Sequence, residues 1–168
     1  MAKVIKTLAP VVDAPLVIDT TEPDVLETAL KTAPGRCLIN SINLEAGREK
    51  ADRILKLAKK YNAALIALTI DEEGMAKTAQ RKLDVARRIS DIAVGEYGFK
   101  PADLVFDVLT FTLATGEKEF LNSAKETLNG IRWTKENLPG TLTSLGVSNI
   151  SFGLKPAARH MLNSVFLY

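Results

Sequence analysis

Five times along this chain a short apolar run gives way to a longer stretch whose apolar residues recur at helical spacing. That switch of period is the signature of strands alternating with helices in a parallel sheet. It predicts strands at Pro15–Asp19, Cys37–Asn40, Ala63–Thr69, Leu104–Asp107 and Thr141–Val147. Helices are expected over Asp24–Thr32, over the stretch carrying Ile54, Leu55, Leu57 and Ala58, and over Ala76–Tyr97, Glu117–Asn137 and Pro156–Tyr168. Thr20-Thr21-Glu22-Pro23 supplies hydroxyls and a proline suited to a first helical turn, whereas Pro34-Gly35 and Gly98 with Pro101 end helices. Nothing like a linker separates the units, so residues 1–168 read as one domain or part of one. Right-handed crossovers then stack the helices on one side of the sheet.

The strands end in polar residues. The first, second and fourth finish in Asp19, Asn40 and Asp107, and the fifth runs into Ser148-Asn149. All carboxyl ends of a parallel sheet point the same way, so these side chains are expected to converge on one site at the C-terminal face. Taken singly, each has a plainer reading: Asp19 can cap the next helix, Asn40 and Asp107 suit loops, and Asn149 suits a turn beside Gly146. Their joint placement at strand ends favours a ligand. Elsewhere, Asp71-Glu72-Glu73 is expected to be a solvated loop leading into a helix, and the group Arg81, Lys82, Arg87 and Arg88 a solvated helix face. Cys37 reads as a small core residue and His160 as a surface side chain.

Composition limits the partners. With 22 Lys and Arg against 20 Asp and Glu, the net charge of +2 is too small to imply a nucleic-acid partner. The longest strongly apolar run, Ala63–Ile70, is far short of the roughly 20 residues of a membrane helix. The single cysteine can form neither an internal disulfide nor a multi-cysteine metal site, which makes a reducing compartment, the cytoplasm, the expectation.

The ordered segments PLVIDTTEPDVLETAL, CLINSINLEAG, ALTIDEEG, LVFDVLTFTLATG and GVSNISFGL together resemble the pterin-binding methyltransferase family. That family includes the methyltetrahydrofolate-binding domain of cobalamin-dependent methionine synthase and the methyltetrahydrofolate:corrinoid/iron–sulfur protein methyltransferases. The resemblance runs from about Val12 to Tyr168, and GVSNISFG is its most diagnostic part. It implies a TIM-type (β/α)8 barrel. Eight units take typically about 250 residues, roughly 31 each, so 168 residues supply five, aligned with the third to seventh units of the family's barrel. The edges of such a partial barrel call for a complementing barrel segment or a second copy of the chain, as in a homodimer.

A pterin presents ring N–H and amino donors along one edge, so a carboxylate can accept two parallel hydrogen bonds while an amide both donates and accepts. The resemblance assigns that contact to Asp19, Asn40 and Asp107, makes Asn149 the group that hydrogen-bonds the nitrogen losing its methyl, and gives Ser148 a supporting place in the loop. An asparagine is no general acid, so its part is orientation and electrostatic stabilisation. The implied substrate is 5-methyltetrahydrofolate, and the implied acceptor is the Co(I) of a cobalamin or other corrinoid carried by a partner protein or domain; no metal ligand is assigned to this chain. Phe152 stands where one methyltransferase branch has glutamine, closer to the methionine synthase pattern. Two alternatives are a non-catalytic fragment or assembly subunit and a dihydropteroate synthase-like enzyme. The latter is disfavoured because Ser148-Asn149-Ile150 and Thr69-Ile70-Asp71 replace that family's Ser-Arg-Lys and Met-His sequences.

Overall fold

A computed structural model describes the backbone of residues 1–168 and every side chain except that of Glu119. Strands β1 (Val17–Asp19), β2 (Leu38–Ile42), β3 (Ala64–Leu68), β6 (Leu104–Asp107) and β7 (Leu142–Ser144) form one parallel sheet in that order. A small antiparallel hairpin, β4 (Ile70–Asp71) with β5 (Gly74–Met75), rises from the end of β3. Helices α2 (Pro23–Thr32), α3 (Arg48–Lys60), α4 (Ala79–Ser90), α5 (Ser123–Asn137) and α6 (Pro156–Leu167) follow the strands of the main sheet, and α1 (Ala2–Leu8) precedes them. Strands lying side by side in chain order, with a helix after each, are a wall of a β/α barrel.

The two faces of the wall follow from the two-residue period of a strand. Ile18, Ile39, Leu65, Ala67, Leu104 and Phe106 point one way and are at most 2% exposed. They meet the apolar stripes of the helices, among them Leu26, Ala29, Ile54, Leu55, Val85, Ala86 and Ile89, in one core. Burying each Ile, Leu, Val or Phe among them contributes roughly 1.5–3 kcal/mol, so the register of the sheet is strongly fixed. The alternate residues Asp19, Asn40, Ile66, Leu68, Val105 and Asp107 point to the opposite, concave face and are exposed or half-buried.

Several expectations change. The second strand continues past Asn40 to Ile42, because Ser41 and Ile42 are buried and pairing resumes at Ile42 with Ala67. The helix expected over Ala76–Tyr97 starts at Ala79, where the Thr78 hydroxyl accepts the Arg81 N–H at 3.3 Å, and finishes in a wider π-helical turn over Asp91–Glu96 that keeps Ile92 and Ala93 in the core. The fifth strand is shorter than expected, since Val147–Ser151 coils into a 3₁₀ turn. Helix α1 was not expected; its single buried side chain, Ile5, holds it to the core. Among the described residues no helix is long and apolar enough to cross a membrane.

Candidate functional site

Parallel pairing sets the polar strand ends in rows on the concave face. Asp19 pairs with Asn40, Asn40 with Ile66 and Ile66 with Val105, so the first two polar groups share one level of the sheet. Asp107 pairs with Leu68 and Ser144 and lies two residues nearer the rim, about 7 Å along the strand direction. Three inter-strand spacings of about 4.8 Å separate β1 from β6, so Asp19, Asn40 and Asp107 line one shallow trough rather than a single point. Asp19 is exposed, and Asn40 and Asp107 are half-buried.

Ser148 and Asn149 sit in the 3₁₀ turn after β7, both exposed. That turn is tied to the segment following Asp107: the Leu113 N–H donates to the Ile150 carbonyl at 3.0 Å, and the Thr112 hydroxyl donates to the Phe152 carbonyl at 2.7 Å. The Asp107 and Asn149 loops are therefore bonded to each other on the same rim. The Ser148 carbonyl accepts from the Ser151 hydroxyl at 3.1 Å and from the Arg159 guanidinium at 3.4 Å, which anchors the turn to α6. Gly146 leaves room for the carboxamide, since a Cβ there would lie 3.1 Å from Asn149 Nδ2.

Asp107 has the most unusual surroundings. One carboxylate oxygen accepts the Leu109 N–H at 2.9 Å; among the described residues the other has no hydrogen-bond donor. Burial pushes the carboxyl above its ordinary range, against the opposing pull of the Leu109 N–H and the Lys82 charge. Leu109 itself adopts a left-handed φ of 64°, which a non-glycine residue keeps only where its surroundings hold it there.

Two residues depart from the expectations stated for them. Asp71 is not solvated: its carboxylate is 4% exposed and accepts from Arg81 through both oxygens, at 2.7 and 2.6 Å. The hairpin turns at Glu72-Glu73, which carries Asp71 inward. Lys82 is not on a solvated face either; it is fully buried, and burial lowers its ammonium to about 8 while Asp107 and Glu126 pull the other way. A signal for Lys82 was present in the sequence, because Lys82, Val85, Ala86, Ile89 and Ala93 follow the i, i+3, i+4, i+7, i+11 spacing of one apolar stripe.

The family described as "Pterin binding enzyme" matches residues 1–168. The chain belongs to the pterin-binding enzyme family. Among curated relatives it is 46% identical over 157 residues to methionine synthase of Mycobacterium tuberculosis, covering 92% of this chain and 13% of that protein. It is 44% identical over 164 residues to methionine synthase of Mycobacterium leprae, covering 96% of this chain and 14% of that one. The chain thus spans a small part of the length of these relatives. Among solved structures it is similar to dihydropteroate synthase from Xanthomonas albilineans, in complex with indole-2-carboxylic acid and 6-chloroguanine, at a TM-score of 0.63 and 14% identity, covering 99% of this chain and 62% of that one. The same enzyme in complex with 7,8-dihydropteroate gives a TM-score of 0.62 at 14% identity. Those likenesses establish the fold: this pterin-binding chain is a partial (β/α)8 barrel of five parallel strands.

Proposed function

We propose that this chain binds 5-methyltetrahydrofolate along the concave trough and presents its methyl group to the Co(I) of a corrinoid held by a partner protein or domain at the rim. In this reading Asp107, Asp19 and Asn40 hydrogen-bond the pterin edge, Ser148 supports the loop, and Asn149 hydrogen-bonds the nitrogen that gives up the methyl. The pair of the broken C–N bond stays on nitrogen, which takes a proton from solvent, and the methyl carbon accepts the pair offered by the corrinoid's Co(I). An amine nitrogen is a poor leaving group, so a contact that strengthens as the bond breaks contributes more than uniform binding.

The observation that carries this reading is Asp107, a half-buried carboxylate on the concave face with one oxygen free of donors among the described residues. A carboxylate kept out of water and left partly unpaired costs stability unless a ligand completes it. Similarity to methionine synthases supports our choice of reduced folate as that ligand. Titrating 5-methyltetrahydrofolate into the purified chain in a calorimeter tests it. One bound equivalent is expected; no heat at millimolar ligand would reject autonomous folate binding.

A second reading is favoured by the exposed edges. Val17 on β1 and Leu142 on β7 are 53% and 51% exposed, and each of these strands is paired on one side only. Exposed strand edges invite another strand, so a complementing barrel segment or a second copy of the chain would complete the trough. Folate binding that appears only with the complementing segment present, or only in a dimer, would select this version.

A further inference from the structure

We infer that Lys82 is a positioning residue for Asp107: from between α4 and α5 its ammonium gathers the backbone carbonyls that shape the turn presenting this carboxylate to the trough. The inference rests on the proposed folate site for its function, though its geometry stands without a ligand.

The Lys82 ammonium donates to the carbonyls of Ala76, Val108 and Leu109 at 2.9, 2.5 and 3.1 Å, and lies 5.1 Å from the centre of the Phe111 ring. Three acceptors saturate an ammonium's three donors. Two of those carbonyls belong to the residues directly following Asp107. The Leu109 carbonyl also accepts the Thr127 hydroxyl at 3.0 Å, and the Ser123 hydroxyl both donates to the Phe111 carbonyl at 2.8 Å and accepts its N–H at 3.2 Å. A left-handed leucine is thus held by side chains from two helices, and its N–H is the one that orients Asp107. The opposite helix is shaped to admit the lysine. A Cβ at Gly130 on α5 would lie 2.7 Å from Lys82 Cδ, so only glycine leaves the stem its channel.

A plain structural part would be filled better by an apolar side chain, since burying an ammonium is costly. A charge kept near a carboxylate that burial drives toward neutrality has a distinct effect: it favours the ionised, accepting form. The charged groups acting on Lys82 are Asp107 from β6 and Glu126 from α5, whose carboxylate accepts the Ala79 N–H at 2.6 Å.

The test uses the ligand-free chain first. Carboxyl-carbon NMR titration of Asp107 and hydrogen exchange at the Leu109 amide are compared in wild type and Lys82→Met, which keeps the stem and removes the charge. The expected result is an upward shift of the Asp107 titration and a fall of tenfold or more in Leu109 protection; neither changing would overturn the inference. If Lys82→Met does not fold, the wild-type chain decides: Leu109 protection, corrected for intrinsic exchange, should drop as pH passes about 8, and a flat profile would overturn it. A folate arm separates the two claims. Wild type failing to bind 5-methyltetrahydrofolate, alone and with the complementing segment, would sink the proposed function while leaving the ligand-free result intact. Wild type binding while Lys82→Met binds equally well, with the same pH profile, would sink the positioning role alone.

Discussion

Two aspartates near the same rim, Asp71 buried and Asp107 half-buried, are treated in opposite ways. Asp71 is closed by Arg81 on both oxygens, by the Glu73 N–H at 3.1 Å, and by Arg88 at 3.9 Å. Asp107 receives one backbone N–H, and the nearest cation spends its three donors on carbonyls instead. The first carboxylate completes a local structure. The second retains acceptor capacity on the concave face, which the proposed ligand would fill. Burial and charge alone do not distinguish a structural acid from a binding one; the unfilled acceptor is what our proposal takes to mark Asp107 as the latter.

The sharpest way to break this contrast is to neutralise each acid in turn. Asp71→Asn is expected to lower stability by about 2–3 kcal/mol, less than the roughly 3–5 kcal/mol of a fully buried pair because Arg81 is a third exposed. In a domain of this size that is a fall of roughly 5–10 °C in Tm, read by calorimetry. Folate affinity should change little. Asp107→Asn should do the reverse: affinity for 5-methyltetrahydrofolate falls by about 10- to 150-fold, the loss of roughly 1.5–3 kcal/mol of charge-assisted hydrogen bonding, while Tm holds or rises. The pH dependence sharpens the same point. Because the folded-state pKa of Asp107 is raised above the ordinary 3.8, the folded chain holds a proton there that the unfolded chain has already lost. Its contribution therefore turns unfavourable to stability as pH climbs through that window, even as the carboxylate becomes able to accept from a pterin. A wild-type chain that loses stability relative to Asp107→Asn on going from pH 4 to 7, while gaining folate affinity, would show both signs.

Smaller effects test the surroundings. Asn149→Ala should lower the methyl-transfer rate to a supplied corrinoid acceptor about tenfold while changing folate affinity by less, as steady-state kinetics and calorimetry would separate. Gly130→Ala overpacks the Lys82 channel, costing roughly 1–3 kcal/mol, offset by the roughly 0.5–1 kcal/mol that alanine gains in a helix. The net loss of about 1 kcal/mol should appear in urea unfolding.

Much of the fold was legible because the sheet is regular. Strand Leu104–Asp107 was bounded correctly from four letters, since a buried parallel strand leaves a run that stops at the first carboxylate. The trough was legible in part: strand-end positions put Asp19, Asn40 and Asp107 on one end, but only pairing register shows that they also share a face. Lys82 and Asp71 were misjudged for one shared reason. Charge argues for solvent until a specific set of partners appears, and those partners come from other elements: the carbonyls of Val108 and Leu109 after β6 for Lys82, and the guanidinium of Arg81 on α4 for Asp71. The helix Ala2–Leu8 lacked a signal because a single buried Ile5 makes no stripe.

One paired measurement bears most directly on the central claim that Asp107 is held for a ligand: calorimetric titration of 5-methyltetrahydrofolate and thermal unfolding, each on wild type and Asp107→Asn. A tenfold or greater loss of affinity with a Tm equal to or above that of wild type is the predicted outcome. Undiminished affinity in the variant, or a Tm loss as large as that of Asp71→Asn, would contradict it.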